Sequence, residues 1–219
     1  MNFIKKIINL LYNKVKEDFQ ADYWDNKWKK SILVYNAKGI GNMDVRNLVY
    51  TKSYIIRPEV RKIIRGCKTD DEKAIKIFEW VRNNIKYISD KKNLLSKNLA
   101  VENWQDAETT FLIRQGDCED GALLTCTMLI IAGIPEYKSK ICAGWVQPTK
   151  TAAKGGHAYC IYLLKETKNT ADGVWYALDW CYYPSKSLNR PHSKQEYYKD
   201  IWWTFNNKNT WAQHDTIVK

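Results

Sequence analysis

At 219 residues, 45% hydrophobic and 27% charged, the chain has the size and balance of one sizeable core, which excludes a disordered tail, a fibrous repeat and two large domains. No apolar run reaches the roughly 18 residues a spanning helix needs, and the Lys-interrupted start lacks a small-residue cleavage site, so neither a transmembrane segment nor a secretory signal is expected. The formal charge of +11 lies wholly in the first hundred residues, with 22 Lys and Arg against 11 Asp and Glu, while the remainder balances at 13 each. Such a basic front half suits an acidic partner or an anionic membrane surface, or simply forms solvated faces of Lys-rich helices.

Phe3, Ile4, Ile7, Ile8, Leu11 and Val15 recur at helical spacing, with Lys5, Lys6, Asn9, Asn13 and Lys16 on the other face. This amphipathic helix either packs on its own domain or lies on a membrane surface or partner. Residues 20–57 show no clear period and are read as irregular, with a short strand at 31–35. A short helix is expected from Pro58, stopping at Gly66. Thr69 and Glu72 form a capping box that opens a helix to Asn84, buried through Ala74, Ile75, Ile77, Phe78, Trp80 and Val81. Asp106 caps a further helix to Arg114, ended by Gly116. From Cys118 to Ala132 the sequence is apolar nearly all round and predicts a central helix terminated by Gly133 and Pro135. Strands follow at 138–146, 157–164 and 174–180, giving helices first and antiparallel strands second, an α+β fold. The organisation read from this is an N-terminal helix and basic extension over 1–57, a core over 58–184 and an aromatic-rich extension over 185–219.

Six cysteines without a C-x-x-C pair argue for reduced thiols and against a structural zinc site. Cys118 sits at a helix start, where free N–H groups and the dipole favour a thiolate, unlike Cys126 deeper in the same helix. Its bland alternative is a small buried hydrophobe. Of three histidines, His192 and His214 fall in loop-like or terminal settings, whereas His157 opens a strand after a small, polar loop and shares a face with Tyr159, Ile161 and Leu163. Asp179, among apolar neighbours, requires a partner, and an imidazole N–H is a natural one; a turn N–H is the other. A thiol at a helix start, an imidazole at a strand start and a carboxylate on the next strand together make a set for nucleophilic catalysis.

Gly116-Asp117-Cys118-Glu119-Asp120, the following helix to Pro135, Gly156-His157-Ala158-Tyr159 and Trp175 to Asp179 resemble the transglutaminase-like superfamily of papain-related folds, nearest to bacterial cysteine proteinases of that group and related phage-encoded domains. The resemblance covers about residues 58–184. It implies a buried nucleophile-bearing helix packed on an antiparallel sheet, with Cys118 as nucleophile, His157 as base and acid, and Asp179 as orienter. The implied chemistry is acyl transfer on amide or peptide bonds through a thioester, released to water or, in crosslinking, to an amine. The Cys118 N–H would form part of an oxyanion hole, with Trp104, Gln105 and Gln115 as candidates for the second donor. No cofactor is required by this chemistry, but some similar proteinases hold calcium with acids at this motif, here Asp117, Glu119 and Asp120. Those acids serve equally to complement a helix N-terminus. Tyr159 and Trp180 depart from the family's usual Trp and Pro. The expected partner is a protein or peptide substrate, and the expected location cytoplasmic or phage-associated. The competing reading is an inactive structural or binding module that contacts nucleic acid, polysaccharide or an assembly such as a phage particle.

Overall fold

A segment that is apolar around its whole circumference can only be stable when covered on every side, and this dictates the position of Cys118–Ile131. In the computed structural model, which describes residues 2–27, 30–31, 34–37, 41–92, 103–147, 151, 153–165, 174–181 and 198–212, that helix runs through the centre with Leu123, Leu124, Met128 and Leu129 wholly buried. Elements are numbered in chain order: α1 Asn2–Asn26, β1 Val34–Ala37, β2 Gly41–Asp44, α2 Ile56–Ile63, α3 Asp70–Asn84, β3 Lys86–Tyr87, α4 Ala107–Ile113, β4 Gln115–Gly116, α5 Cys118–Ile131, β5 Ser139–Val146, β6 Gly155–Lys165, β7 Val174–Leu178, β8 Tyr198–Phe205 and β9 Thr210–Ala212. Helices precede an antiparallel sheet ordered β7-β6-β5-β8-β9, the expected α+β architecture.

Alternation along the strands serves two layers. Ile141, Cys160, Tyr162, Leu178 and Phe205 face α5 and join a core with Ile56, Ala74, Ile77, Val81 and Phe111 from α2, α3 and α4. Cys142, Val146, Tyr159, Ile161, Leu163 and Trp175 face the other way, where Trp24 and Tyr137 cover them. Each fully buried aliphatic side chain contributes about 1.5–3 kcal/mol. The Tyr162 hydroxyl donates to Asp71 Oδ1 at 2.7 Å and ties β6 to the first turn of α3.

Local signals held where they were chemical. Thr69 Oγ1 accepts from the Glu72 N–H at 3.2 Å and Glu72 answers the Thr69 N–H, completing the capping box. Asp106 caps α4 by accepting from the Thr109 N–H at 2.8 Å. The end of α4 differs from expectation: Arg114, at φ 58°, takes the left-handed turn, and Gly116 instead pairs with Tyr87 in a short parallel ladder. The described part of residues 20–57 is not wholly irregular. The helix α1 continues to Asn26, and β1 and β2 form an antiparallel pair from Val34 opposite Asp44 to Ala37 opposite Gly41. Beyond residue 185, the aromatic-rich stretch supplies β8 and β9 to the sheet itself. Gly144 allows β8 to cross, because a Cβ there would collide with the Asp200 carbonyl beside a register shift. Among the described residues no helix is long and apolar enough to cross a membrane. His192, His214 and part of the loop at 148–156 lie outside the described residues.

The far side of the sheet holds a buried cation. Lys140 is fully covered, its ammonium 3.8 Å from the ring centre of Trp211 and 5.1 Å from that of Trp175. Desolvation outweighs the attraction of Asp25 and lowers Lys140 to about 7. The unfolded chain therefore binds more protons than the folded one above that pH, so stability rises with pH from the folded value towards the unfolded one and is penalised as pH falls. Between roughly pH 7 and 8.5, before buried thiols such as Cys142 oppose the trend, urea unfolding should show a gain of about 1–2 kcal/mol. Lys140→Met should lack that component; an equal gain in the variant would assign it to other groups.

Candidate active site

Three elements converge at one end of the sheet. The first is the start of α5, fixed by Asp120, which is fully buried and accepts from the Asp117 N–H at 3.1 Å, the Gln105 N–H at 2.8 Å and Gln105 Nε2 at 2.5 Å. One carboxylate thus satisfies helix-start and preceding-loop donors together. Gln105 is held away for that duty and also donates to the Gln115 carbonyl at 3.3 Å, while Gln115 pairs with Lys86 in β4. Of the three oxyanion candidates only Trp104 lines the cavity at the thiol.

Cys118 Sγ donates to Glu119 Oε2 at 3.0 Å and accepts from the Ala158 N–H at the start of β6. Burial first, and then the Glu119 carboxylate, push the thiol well above its ordinary range. A sulfur at a helix start was expected to be acidified. Here desolvation and an adjacent acid outweigh the dipole, since a helix terminus stabilises an anion by only about 0.3–2 kcal/mol.

His157 and Asp179 lie at neighbouring strand ends, 5% and 0% exposed. His157 Nε2 and Asp179 Oδ2 are hydrogen-bonded at 2.8 Å, so the ring's Nδ1 is on its other side. Asp179 takes two further bonds: from the Tyr198 hydroxyl to Oδ2 at 2.9 Å and from the Cys181 N–H to Oδ1 at 3.0 Å. Tyr159 stacks on the imidazole at 5.9 Å and 20°. Cys118 and His157 then line a common cavity of about 360 Å³ whose other walls include Trp104, Glu119, Trp202 and Trp203. The acid fixes the orientation of the ring, and the shared cavity is what brings ring and sulfur to one site.

The acidic trio divides. Oxygens of Asp117 and Glu119 lie with the Cys118 sulfur within 4.8 Å of one another, whereas Asp120 faces Gln105. Glu119 is 3% exposed, its Oε1 is buried without a hydrogen-bond partner, and burial followed by the charges of Asp117 and Asp120 pushes its carboxyl well up. Crowded, desolvated carboxylate oxygens are the donor type a hard cation takes, so the residues fit calcium as part of its usual six to eight oxygens.

Two side-chain contacts that matter here escaped the sequence reading. Tyr198 comes from β8, which no local pattern links to Asp179. Trp180 packs its indole where a Cβ on Gly121 would be, and donates to the Cys118 carbonyl at 3.3 Å. A glycine inside an otherwise apolar helix costs about 1 kcal/mol against alanine, and that anomaly was the available signal. Gly121→Ala should lose about 2 kcal/mol or more in urea unfolding by displacing the indole. Combined with Trp180→Ala, the loss should fall short of the sum of the single losses by ~1 kcal/mol; strict additivity would refute the contact.

A search of curated proteins finds no match to this chain. Solved structures to which the chain is similar include calcium-bound LapG of Legionella pneumophila, 16% identical with a TM-score of 0.46, covering 71% of this chain and 87% of that one. The EGTA-treated form of LapG gives 16% identity and a TM-score of 0.45 over 71% and 84%. A candidate cysteine protease from Cytophaga hutchinsonii is 15% identical, with a TM-score of 0.42 over 77% of this chain and 52% of its own. Residues 59–180 match the family model of the transglutaminase-like superfamily, a span from α2 through Asp179 that takes in more than half of the sequence, and the chain belongs to that superfamily.

Proposed function

We propose that the protein is a cysteine peptidase or amidase working through a thioester. The observation that carries this reading is the buried His157–Asp179 bond at 2.8 Å, beside a cavity shared with Cys118. Because the thiol is held protonated, His157 acts as general base during attack rather than stabilising a preformed thiolate. The Sγ proton passes to the imidazole as sulfur bonds to the carbonyl carbon. The resulting oxyanion faces the Cys118 N–H at the helix start. Collapse breaks the C–N bond, with the imidazolium returning its proton to the departing amine. Water, deprotonated by the same ring, then attacks the thioester, releasing the acid and restoring Sγ–H. A lysine amine reaching the thioester before water would give transamidation by the same steps.

The cavity walls favour a polypeptide over a nucleic acid. Three tryptophans and Glu119 line it, with no Lys or Arg among the described lining residues, whereas phosphates require cationic walls. Asp117 and Glu119 are the residues that would hold calcium, which when bound supplies positive charge beside the thiol.

The test is incubation of the full chain, with and without calcium, with a denatured-protein peptide library. Acid quench and mass spectrometry should reveal cleaved products and an acyl group on Cys118. Cys118→Ala should abolish both, and Asp179→Asn should lower the rate by roughly two to four orders of magnitude. Absence of cleavage, transfer and adduct under both conditions would favour a binding module. Calorimetry with calcium alone should show binding in the micromolar to millimolar range that Glu119→Gln removes; no heat at about millimolar calcium would dispose of the metal assignment.

A further inference from the structure

We infer that the first two thirds of α1 is a surface anchor for an anionic lipid bilayer. Phe3, Ile4, Ile8, Leu11, Val15 and Phe19 are between 57% and 76% exposed on one continuous helix. Contiguous apolar surface of this kind marks a binding face.

Its direction is fixed by where the helix meets the rest of the protein. Gln20 and Trp24 are buried at 7% and 1%, and Trp24 packs edge-on against Trp175 at 5.4 Å. With about 100° between successive residues, they lie roughly 160° around the helix from the seam of Ile4, Ile8, Leu11, Val15 and Phe19. Asn13, Lys16 and Gln20, on the polar side, line a groove shared with Tyr137 and Lys138. The polar face therefore turns to the domain and the apolar face turns away from it. Among the described residues, the apolar face of residues 3–19 is therefore not packed on its own domain.

Charge selects the occupant. Residues 2–16 contain Lys5, Lys6, Lys14 and Lys16 and no acid, and each lysine near an anionic surface adds about 1 kcal/mol of attraction. The apolar arc covers about half the circumference, as in helices that lie in a lipid interface, with Lys5, Lys16 and Lys6 beyond its edges and Lys14 within it, all on long stems able to extend to headgroups. The helix is not long and apolar enough to cross. A second copy is the competing occupant. However, the seam from Ile4 to Val15 next meets Asp18 and Asp22, so a coiled coil would be interrupted after two heptads.

The decisive measurement is co-sedimentation of the full chain with vesicles of phosphatidylcholine alone and of an equimolar mixture with phosphatidylglycerol. Binding should be at least ~10-fold stronger to the anionic vesicles and weaken in high salt. Ile8→Glu with Leu11→Glu, at exposed positions and with an unchanged circular dichroism spectrum, should remove it; Lys5→Glu with Lys6→Glu should weaken it by about tenfold or more. Three results would each overturn the assignment: no sedimentation with anionic vesicles, binding that survives the double Glu substitution, or a lipid-free dimer that the same substitution dissociates.

Discussion

Asp179 has no contact with water, and a charge in that position must be surrounded by donors. It is: an imidazole from β6, a phenol from β8 and a backbone N–H two residues on. These bonds bring the chain's separate strands to a fixed separation and set the plane of the histidine ring. Trp180, one residue further, turns to the other side of the sheet and seats against Gly121 of α5. Consecutive residues thus fix the imidazole and the Cys118 helix relative to each other. The cavity exists because both attachments are made at the same chain position.

Much of this was legible because it is local chemistry. A Thr three residues before a Glu, an Asp before an apolar run, and a segment apolar on all sides each have one economical solution. The thiol, ring and acid could be named for the same reason: each stands at an element boundary that the sequence marks. What could not be read was the placement of distant strands. β8 lies between β5 and β9, and nothing near Tyr198 announces Asp179 as its partner. The left-handed residue ending α4 is an arginine, where a nearby glycine gave the more obvious stop. The continuation of α1 was hidden because the buried face rotates from the apolar seam to Gln20 and Trp24, so a single periodic stripe stops before the helix does.

Residues at the start of α5 show a compromise between holding a fold and doing chemistry. Asp120 is fully engaged in organising the helix start, yet its charge, with that of Asp117, makes ionising Glu119 harder. The Glu119 carboxylate in turn raises the Cys118 thiol, after burial, so neutralising these acids would lower it.

The interior position of β8, between β5 and β9, also imposes an order on biosynthesis. Cys118 leaves the ribosome some eighty residues before Tyr198, which braces Asp179, and the intervening histidine and aspartate cannot be fixed until β8 slots in. A nascent chain consequently carries Cys118 without the framework that orients His157. The cavity the two share is therefore incomplete until translation of the sheet has run to its closing strands.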